Sequence, residues 1–248
     1  MKHVQHLILF SPVHNVAETI IDVLENVVDL STVLGRYQCD LHYLAINDAS
    51  TDDTATLVAS FNSIYPWIEV TTNTTNQGNA ANVVQGYRWA LEMLKAIGGD
   101  EDTLIGCFDG DGEHNPLAFR RHIEYIEGES CDSVVGTIIY PPHAMDWTDL
   151  HMMRFLGSLQ ANLMDAKDPF YIQSGGWQLH RPEALWLAIA DLLPQYQRYF
   201  ESHYGEFPRW GMHAVIDTLI PMARGRTNGG RLKPGYLECF GLPPKRDD

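Results

Sequence analysis

The chain has 248 residues, 45% of them apolar and 20% charged, and a formal net charge of −15. That apolar share suffices for the core of one large domain, or of a domain with an extension. The acidic balance argues against wrapping a nucleic acid backbone and against simple adsorption on anionic lipid, since both need a basic surface.

The first apolar, β-prone run is Val4 to Phe10, and Pro12 is expected to stop it. Ala17 to Leu34 then carries helical spacing through Ile20, Ile21, Leu24, Val27, Val28 and Leu34. A second strand, Cys39 to Ile46, leads into the cap-rich segment Asn47-Asp48-Ala49-Ser50-Thr51-Asp52-Asp53-Thr54, where Ser50 or Thr51 can cap the next helix. That helix runs to about Asn62 and a third strand covers Trp67 to Thr72. The polar loop Asn73-Thr74-Thr75-Asn76-Gln77-Gly78-Asn79 precedes a helix from about Ala80 to Ile97. A fourth strand, Thr103 to Phe108, ends at Asp109-Gly110-Asp111-Gly112-Glu113-His114-Asn115-Pro116.

Beyond Pro116 the pattern predicts a helix to Glu127 and a strand from Ser133 to Tyr140, closed by Pro141-Pro142. Trp147 to Ala166 has helical spacing, and Asp168-Pro169 breaks it. Tyr171 to His180 reads as a strand interrupted by Gly175-Gly176, and Arg181-Pro182-Glu183 opens a helix through Ile189. Glu201 to Trp210 is expected to be irregular, His213 to Arg224 helical, and Tyr236 to Phe240 a last strand. The change of character after Pro141 divides the chain into residues 1–140 and 141–248, read as two halves of a single domain.

Strand, loop and helix alternate three times before the fourth strand, which is the pattern of a mostly parallel α/β sheet flanked by helices. In such sheets ligands gather at the carboxyl ends of the strands. The loops after strands one, two and four should therefore share one crevice. The last of these concentrates the chemistry. Asp109, Asp111 and Glu113 alternate with glycines, so an extended or turning backbone can bring their carboxylates to one side. Carboxylates this close repel unless protons or a cation intervene. A hard cation such as Mg²⁺ or Mn²⁺ takes oxygen ligands and keeps positions open for phosphates. A solvated acidic turn is the alternative reading, since Asp-Gly pairs form turns readily.

Cys39, Cys107, Cys131 and Cys239 stand far apart without a CxxC pair, which suggests neither zinc nor a disulfide framework. A reducing cytoplasm is expected. No signal peptide is visible, and no run reaches the roughly 18 apolar residues of a membrane helix, so association with a membrane would be peripheral.

The ordered set Ser11-Pro12-Val13-His14-Asn15, Asn47 to Thr54, Asn76-Gln77-Gly78-Asn79 and Asp109 to Pro116 resembles family-2 glycosyltransferases of the GT-A fold. Within them it is most similar to the polyprenyl-phosphate mannosyl- and glucosyltransferases. The resemblance covers the first 140 residues or so. It is traceable afterwards in Asp168-Pro169, Ser174-Gly175-Gly176-Trp177, Arg181 and Glu183, which resemble that branch's D-P-x-S-G-F-R-x-x-R-x-E segment. The resemblance implies a GT-A (Rossmann-like) sheet with a C-terminal acceptor-binding region. It also implies transfer of a sugar, with inversion, from a UDP- or GDP-linked donor to an acceptor such as a polyprenyl phosphate.

Carried over residue by residue, it assigns Pro12, Asn15, Glu18, Asp48, Asn76, Gly78, Asp109 and Gly110 to nucleotide binding. Asp48 would accept from the base, with an Asx turn or helix cap as the plain alternative; Glu18 would reach the ribose, or is simply a solvated helix residue. The metal, Mg²⁺ or Mn²⁺, falls to Asp109, Asp111 and Glu113; the branch more often has glutamine at the third position. His114 touches the diphosphate or caps the turn. Ser174, Gly176, Trp177, Gln178 and Arg181 match the acceptor-binding segment. If the acceptor is a hydroxyl, a base must take its proton. Asp217, which matches an acidic position in the C-terminal helix, is the candidate, with Asp168 behind it; a solvated acid is the alternative for Asp217.

Two departures bear on the acceptor. Gln178 stands where the branch carries arginine, and Phe170-Tyr171-Ile172 is inserted before Gln173-Ser174. Losing a bidentate cation weakens the case for an acceptor phosphate and keeps a non-lipid hydroxyl open. A nucleotidyltransferase would show a glycine-rich basic loop after its first strand, and Ser11 to Val16 is neither. A non-catalytic nucleotide-sugar-binding module is the remaining rival.

Overall fold

The computed structural model describes residues 4–129, 131–139, 177–205 and 234–240. Seven strands among them form one sheet in the order β3-β2-β1-β4-β6-β5-β7. Strands β1 (His6–Val13), β2 (Asp40–Asn47), β3 (Ile68–Thr72) and β4 (Thr103–Cys107) pair in parallel. Strand β6 (Gln178–His180) runs antiparallel to both β4 and β5 (Ser133–Ile139), and β7 (Pro234–Phe240) returns parallel to β5. One reversed strand in seven leaves the sheet mostly parallel.

Strand β1 is buried on both faces from Leu7 to Val13, as a central parallel strand must be when helices cover each side. Its alternating side chains feed two cores. Leu7 and Leu9 pack with helices α1 (Ile20–Gly35), α2 (Thr54–Ile64) and α4 (Phe119–Glu129); Ile8 and Phe10 pack with α3 (Asn79–Ile97), α5 (Pro182–Leu187) and the start of α6 (Leu193–Tyr204). In α1 the buried residues Ile20, Val23, Leu24, Val27, Leu30 and Leu34 follow the helical repeat and form one stripe. Helix α3 approaches β1 so closely that a Cβ on Gly86 would lie 2.0 Å from the Phe10 ring. It starts after Gly78 and ends at Gly98, both at positive φ, where glycine carries no Cβ penalty.

Three expectations need correction. Pro12 does not end β1; it pairs with Ile46 inside the strand. Its carbonyl accepts from Gly110 N on the β4 side. A residue's N and C=O point the same way in a strand, so the missing N–H falls beyond the end of the β1–β4 ladder at Cys107 and breaks no bond. Residues 201–204 are helical rather than irregular, because α5 passes through a wide turn at Ala188–Leu192 into α6. Helix α2 begins at Thr54, and neither Ser50 nor Thr51 caps it. The helices expected at 147–166 and 213–224, and most of the strand expected from Tyr171, lie outside the described residues. No described helix is long and apolar enough to cross a membrane.

Candidate functional site

The loops after β1, β2, β3 and β4 emerge at one edge of the sheet, and their side chains interlock. Asn15, held at φ 51°, donates its backbone N–H to Ser50 Oγ and accepts from Thr51 N through Oδ1 at 2.8 Å. Asp52 then reaches back, accepting from Ala17 N and from Thr54 N. His14 Nδ1 donates to the Asp48 carbonyl at 2.8 Å; Nε2 is thereby left as the acceptor for the Asn15 and Asn76 amides at 3.3 Å. Residues expected at the nucleotide, Asn15 and Asn76, and those expected as caps, Ser50 and Thr51, are thus ties between loops.

Asp48 is the centre of this lattice. It is 3% exposed. Oδ1 accepts from Gln77 N (2.8 Å) and Asn73 Nδ2 (3.0 Å), and Oδ2 from Gly78 N (2.9 Å). Burial alone would raise its pKa, but these donors, together with the Asn82 side chain, outweigh burial and hold the carboxyl below its ordinary value. Gly78, at φ 88°, turns its N–H onto Asp48 as α3 begins.

The acidic stretch continues from β4 along the end of β1. Phe108 N and Gly110 N donate to Phe10 O and Pro12 O, so this part is still extended and Asp109 shares the α3 face with Cys107. There Asp109 Oδ1 accepts from Asn79 Nδ2 at 3.3 Å. Gly110 leaves no room for a side chain, since a Cβ would lie 2.5 Å from Val13 Cγ1. The chain then turns at Gly112, at φ 97°. Asp111 Oδ1 accepts from Glu113 N at 3.0 Å, and Asn115 Oδ1 accepts from Leu117 N at 2.9 Å where Pro116 starts a short 3₁₀ turn. Because of this turn the three acids do not stay in strand alternation, and no cluster of three His, Cys, Asp or Glu ligands forms among the described residues.

The donor chemistry nevertheless fits a hard cation. His114 is 4% exposed beneath the turn. Burial works against its protonation, yet Asp111, Asp109 and Glu113 raise its pKa above the ordinary value. At 3.9 Å, its Nδ1 and Asp111 Oδ1 are beyond hydrogen-bond reach and interact as charges. An excess of negative potential that lifts a buried histidine is one that a divalent cation would neutralise. One or two carboxylates with phosphate oxygens are a common Mg²⁺ ligand set. Asp109 and Asp111 could supply the former.

The acceptor residues are divided. Ser174, Gly176, Asp168 and Asp217 lie outside the described residues. Trp177 is fully buried, edge-on to His114. Gln178 is also fully buried, and its Oε1 accepts from Tyr87 OH at 2.8 Å, with His180 and Ser133 continuing the chain of hydrogen bonds. Arg181 is brought to the opposite edge of the sheet. Because β6 runs against its neighbours, the chain descends from Gln178 beside Cys107 to His180 beside Ile105. Arg181 then donates to the carbonyls of Cys131 and Glu101, which precede β5 and β4. Arg181, expected to bind the acceptor, thus stands at the sheet edge opposite the acidic turn. Pro12 is buried and Glu18 exposed, both at the productive edge.

Asn73, Asn79 and His14 were missed as site residues. Their signal was present in the asparagine-rich loop and in the histidine of Ser-Pro-Val-His-Asn, but these types also form ordinary turns.

Comparison with known proteins agrees with this arrangement. The chain is 29% identical over 151 residues to an undecaprenyl-phosphate mannosyltransferase of Micrococcus luteus. The match takes in 59% of this chain and 58% of that protein, so the chain spans little more than half the length of this relative. A mannosyltransferase from Pyrobaculum calidifontis, solved with GDP-Man and Mn²⁺, aligns over 98% of this chain and 58% of its own, with a TM-score of 0.55 and 16% identity. Mannosyl-3-phosphoglycerate synthase from Rubrobacter xylanophilus aligns over 98% and 68%, with a TM-score of 0.51 and 13% identity. These structures share the GT-A architecture of a mostly parallel sheet flanked by helices. The model of the family described as glycosyl transferase family 2 matches residues 9–185, well over half of the chain, and the chain belongs to that family.

Proposed function

We propose that the chain transfers a sugar, with inversion and with the help of Mg²⁺ or Mn²⁺, from a UDP- or GDP-linked donor to a polyprenyl phosphate. The observation that carries this reading is the lattice joining Asn15, Asp48, Asn76, Gly78 and Asp109 across four strand-end loops. A site already fixed by its own hydrogen bonds gives up little entropy when a nucleotide enters. Pro12, Asn15, Glu18, Asn76 and Gly78 surround the nucleotide. Asp48 contributes mainly by holding the loops: of about four lone-pair positions on a carboxylate, three already accept from the protein. Asp109 and Asp111, with Glu113 beside them, hold the cation at the diphosphate, and the Gly110 backbone, tied to Pro12, keeps them against the end of β1. When bound, that cation supplies charge neutralisation for the leaving nucleoside diphosphate. Ser174 and Gly176 serve the acceptor; Asp217, with Asp168 behind it, takes a proton where the acceptor is a hydroxyl. The relative's undecaprenyl-phosphate substrate and the widely spaced cysteines, without a CxxC pair, favour a cytoplasmic protein peripheral to the membrane.

A hydroxyl-bearing acceptor is the second reading. It is favoured by the neutral, buried Gln178 and by Arg181 lying at the far edge, which remove two cation positions from the acceptor side. The test is to titrate UDP and GDP with and without Mn²⁺, then assay donor hydrolysis and transfer to undecaprenyl phosphate and to free sugars. Asp111→Ala should abolish the metal-dependent part of nucleotide binding; unchanged affinity would remove Asp111 from the cation site. Binding without turnover on any donor or acceptor would favour a non-catalytic module.

A further inference from the structure

We propose that Trp177 is a positioning residue for the acidic turn: its indole seats the His114 ring, and His114 sets where the Asp111 carboxylate stands. The inference rests on the reading of Asp111 as a cation ligand. Asp111 follows Gly110, whose N–H is tied to Pro12 O, and precedes Gly112 at φ 97°, so β1 holds it from the N-terminal side and the far side of the turn needs its own anchor. Its side chain is 48% exposed, and its bond from Glu113 N belongs to the turn and moves with it. His114 is the member of the turn that reaches the core. Its ring stands edge-on to Trp177, with centroids 4.6 Å apart and planes at 82°. This is a favoured aromatic geometry.

Trp177 is itself immobilised. Its carbonyl accepts from Gly136 N at 2.9 Å, which pins the entry to β6 against β5. Its indole has His122 on another side, at 6.5 Å between centroids. The slot exists because residue 136 is glycine: a Cβ there would lie 2.8 Å from His122 Nε2 and 2.9 Å from Trp177 Cβ. The indole Nε1 has no hydrogen-bond partner among the described residues, so the ring is held by packing. A short column, His122, Trp177 and His114, therefore runs from the α4 core to the turn, and fixes it at a residue three positions from Asp111.

Groups that orient metal ligands from behind typically govern 10- to 100-fold of metal affinity, and a column acting through an intermediate ring belongs at the lower end. The experiment measures Mn²⁺ binding by electron paramagnetic resonance at saturating GDP or UDP for the wild type, Trp177→Leu, His114→Ala and the double variant. Urea midpoints and near-ultraviolet dichroism are recorded for each. Trp177→Leu should weaken Mn²⁺ binding roughly tenfold, as should His114→Ala, and the double variant should be no weaker than His114→Ala alone. Raising Mn²⁺ should restore nucleotide binding, which a merely unfolded fraction would not do. Should Trp177→Leu fail to fold, Trp177→Phe takes its place in the cycle, with a loss of roughly threefold, since it keeps an aromatic face but less of it. Wild-type Mn²⁺ binding that the folded variant retains in full, or losses that add in the double variant, would overturn the proposal alone. No Mn²⁺ binding by the wild type would overturn the cation reading and this proposal with it.

Discussion

Replacing Asp48 by asparagine tests whether the strand-end loops are held by one charge. The three partners, Gln77 N, Asn73 Nδ2 and Gly78 N, are all donors. An asparagine can keep its oxygen toward Gln77 and Asn73, but its amide nitrogen must then face the Gly78 N–H, donor against donor. One charge-assisted bond is lost, at about 1.5–3 kcal/mol, and a buried N–H is left unsatisfied at about 1–3 kcal/mol; because such costs overlap, a net of about 3 kcal/mol is expected. With a urea m-value of about 2–3 kcal/mol/M, the midpoint should fall by about 1 M or slightly more. The sign with pH follows from the depressed carboxyl pKa. The folded-state value lies below the unfolded one, so the charge's contribution is fully present above about pH 4 and is lost as pH falls through the folded value. The gap between wild type and Asp48→Asn should therefore be flat from pH 7 to 5 and narrow below about pH 4. A gap equally large at pH 3 and pH 7, or a variant as stable as the wild type, would refute the argument.

Ala49 is held at φ 55°, which costs a residue with a Cβ about 1–2 kcal/mol. Ala49→Gly should raise the urea midpoint by the equivalent of about 0.5–1 kcal/mol, after the added freedom of the unfolded chain is subtracted. Gly86→Ala sets two effects against each other: helix propensity favours alanine by about 1 kcal/mol, but the new Cβ would meet the Phe10 ring at 2.0 Å. Overpacking at about 1–3 kcal/mol or more should win, and a stabilised variant would show that α3 can lift off β1 without loss. Burial pushes the His122 imidazole down to about 4; the Ala118 carbonyl opposes this and the Arg121 charge adds to it. Folding therefore keeps this ring neutral, and stability should fall by up to about 3 kcal/mol between pH 6.5 and 4; in His122→Gln, urea titrations should show that part of the slope gone.

Much of the first 140 residues was legible because the signals there are local. Apolar runs of strand length, helical stripes such as Val23, Leu24 and Val27, and polar strand-end loops fix a parallel α/β half without long-range information. What failed depended on direction or on neighbours. Pro12 reads as a terminator, and its tolerance follows from which side its missing N–H faces. Arg181 reads as belonging with Trp177 and Gln178, and nothing local shows that β6 runs downward and carries it away. Asp48 reads as a ligand residue or a turn former; that three donors from a loop 25 to 30 residues away converge on it is a tertiary fact. The acid alternation in Asp109, Asp111 and Glu113 suggested convergence, and the turn at Gly112 redirected the last of them.

The reversed strand β6 also bears on how the chain can be divided. It fills the gap between β4 and β5 with three residues supplied late in the sequence. A fragment ending near residue 140 would leave the outer edge of β4 bare, with unpaired backbone groups along a strand that is buried throughout in the intact chain. During synthesis that seam stays open until residue 180 has emerged. The sheet begun by the first 140 residues is therefore finished by a late segment, and cutting the chain there would expose a surface prone to self-association.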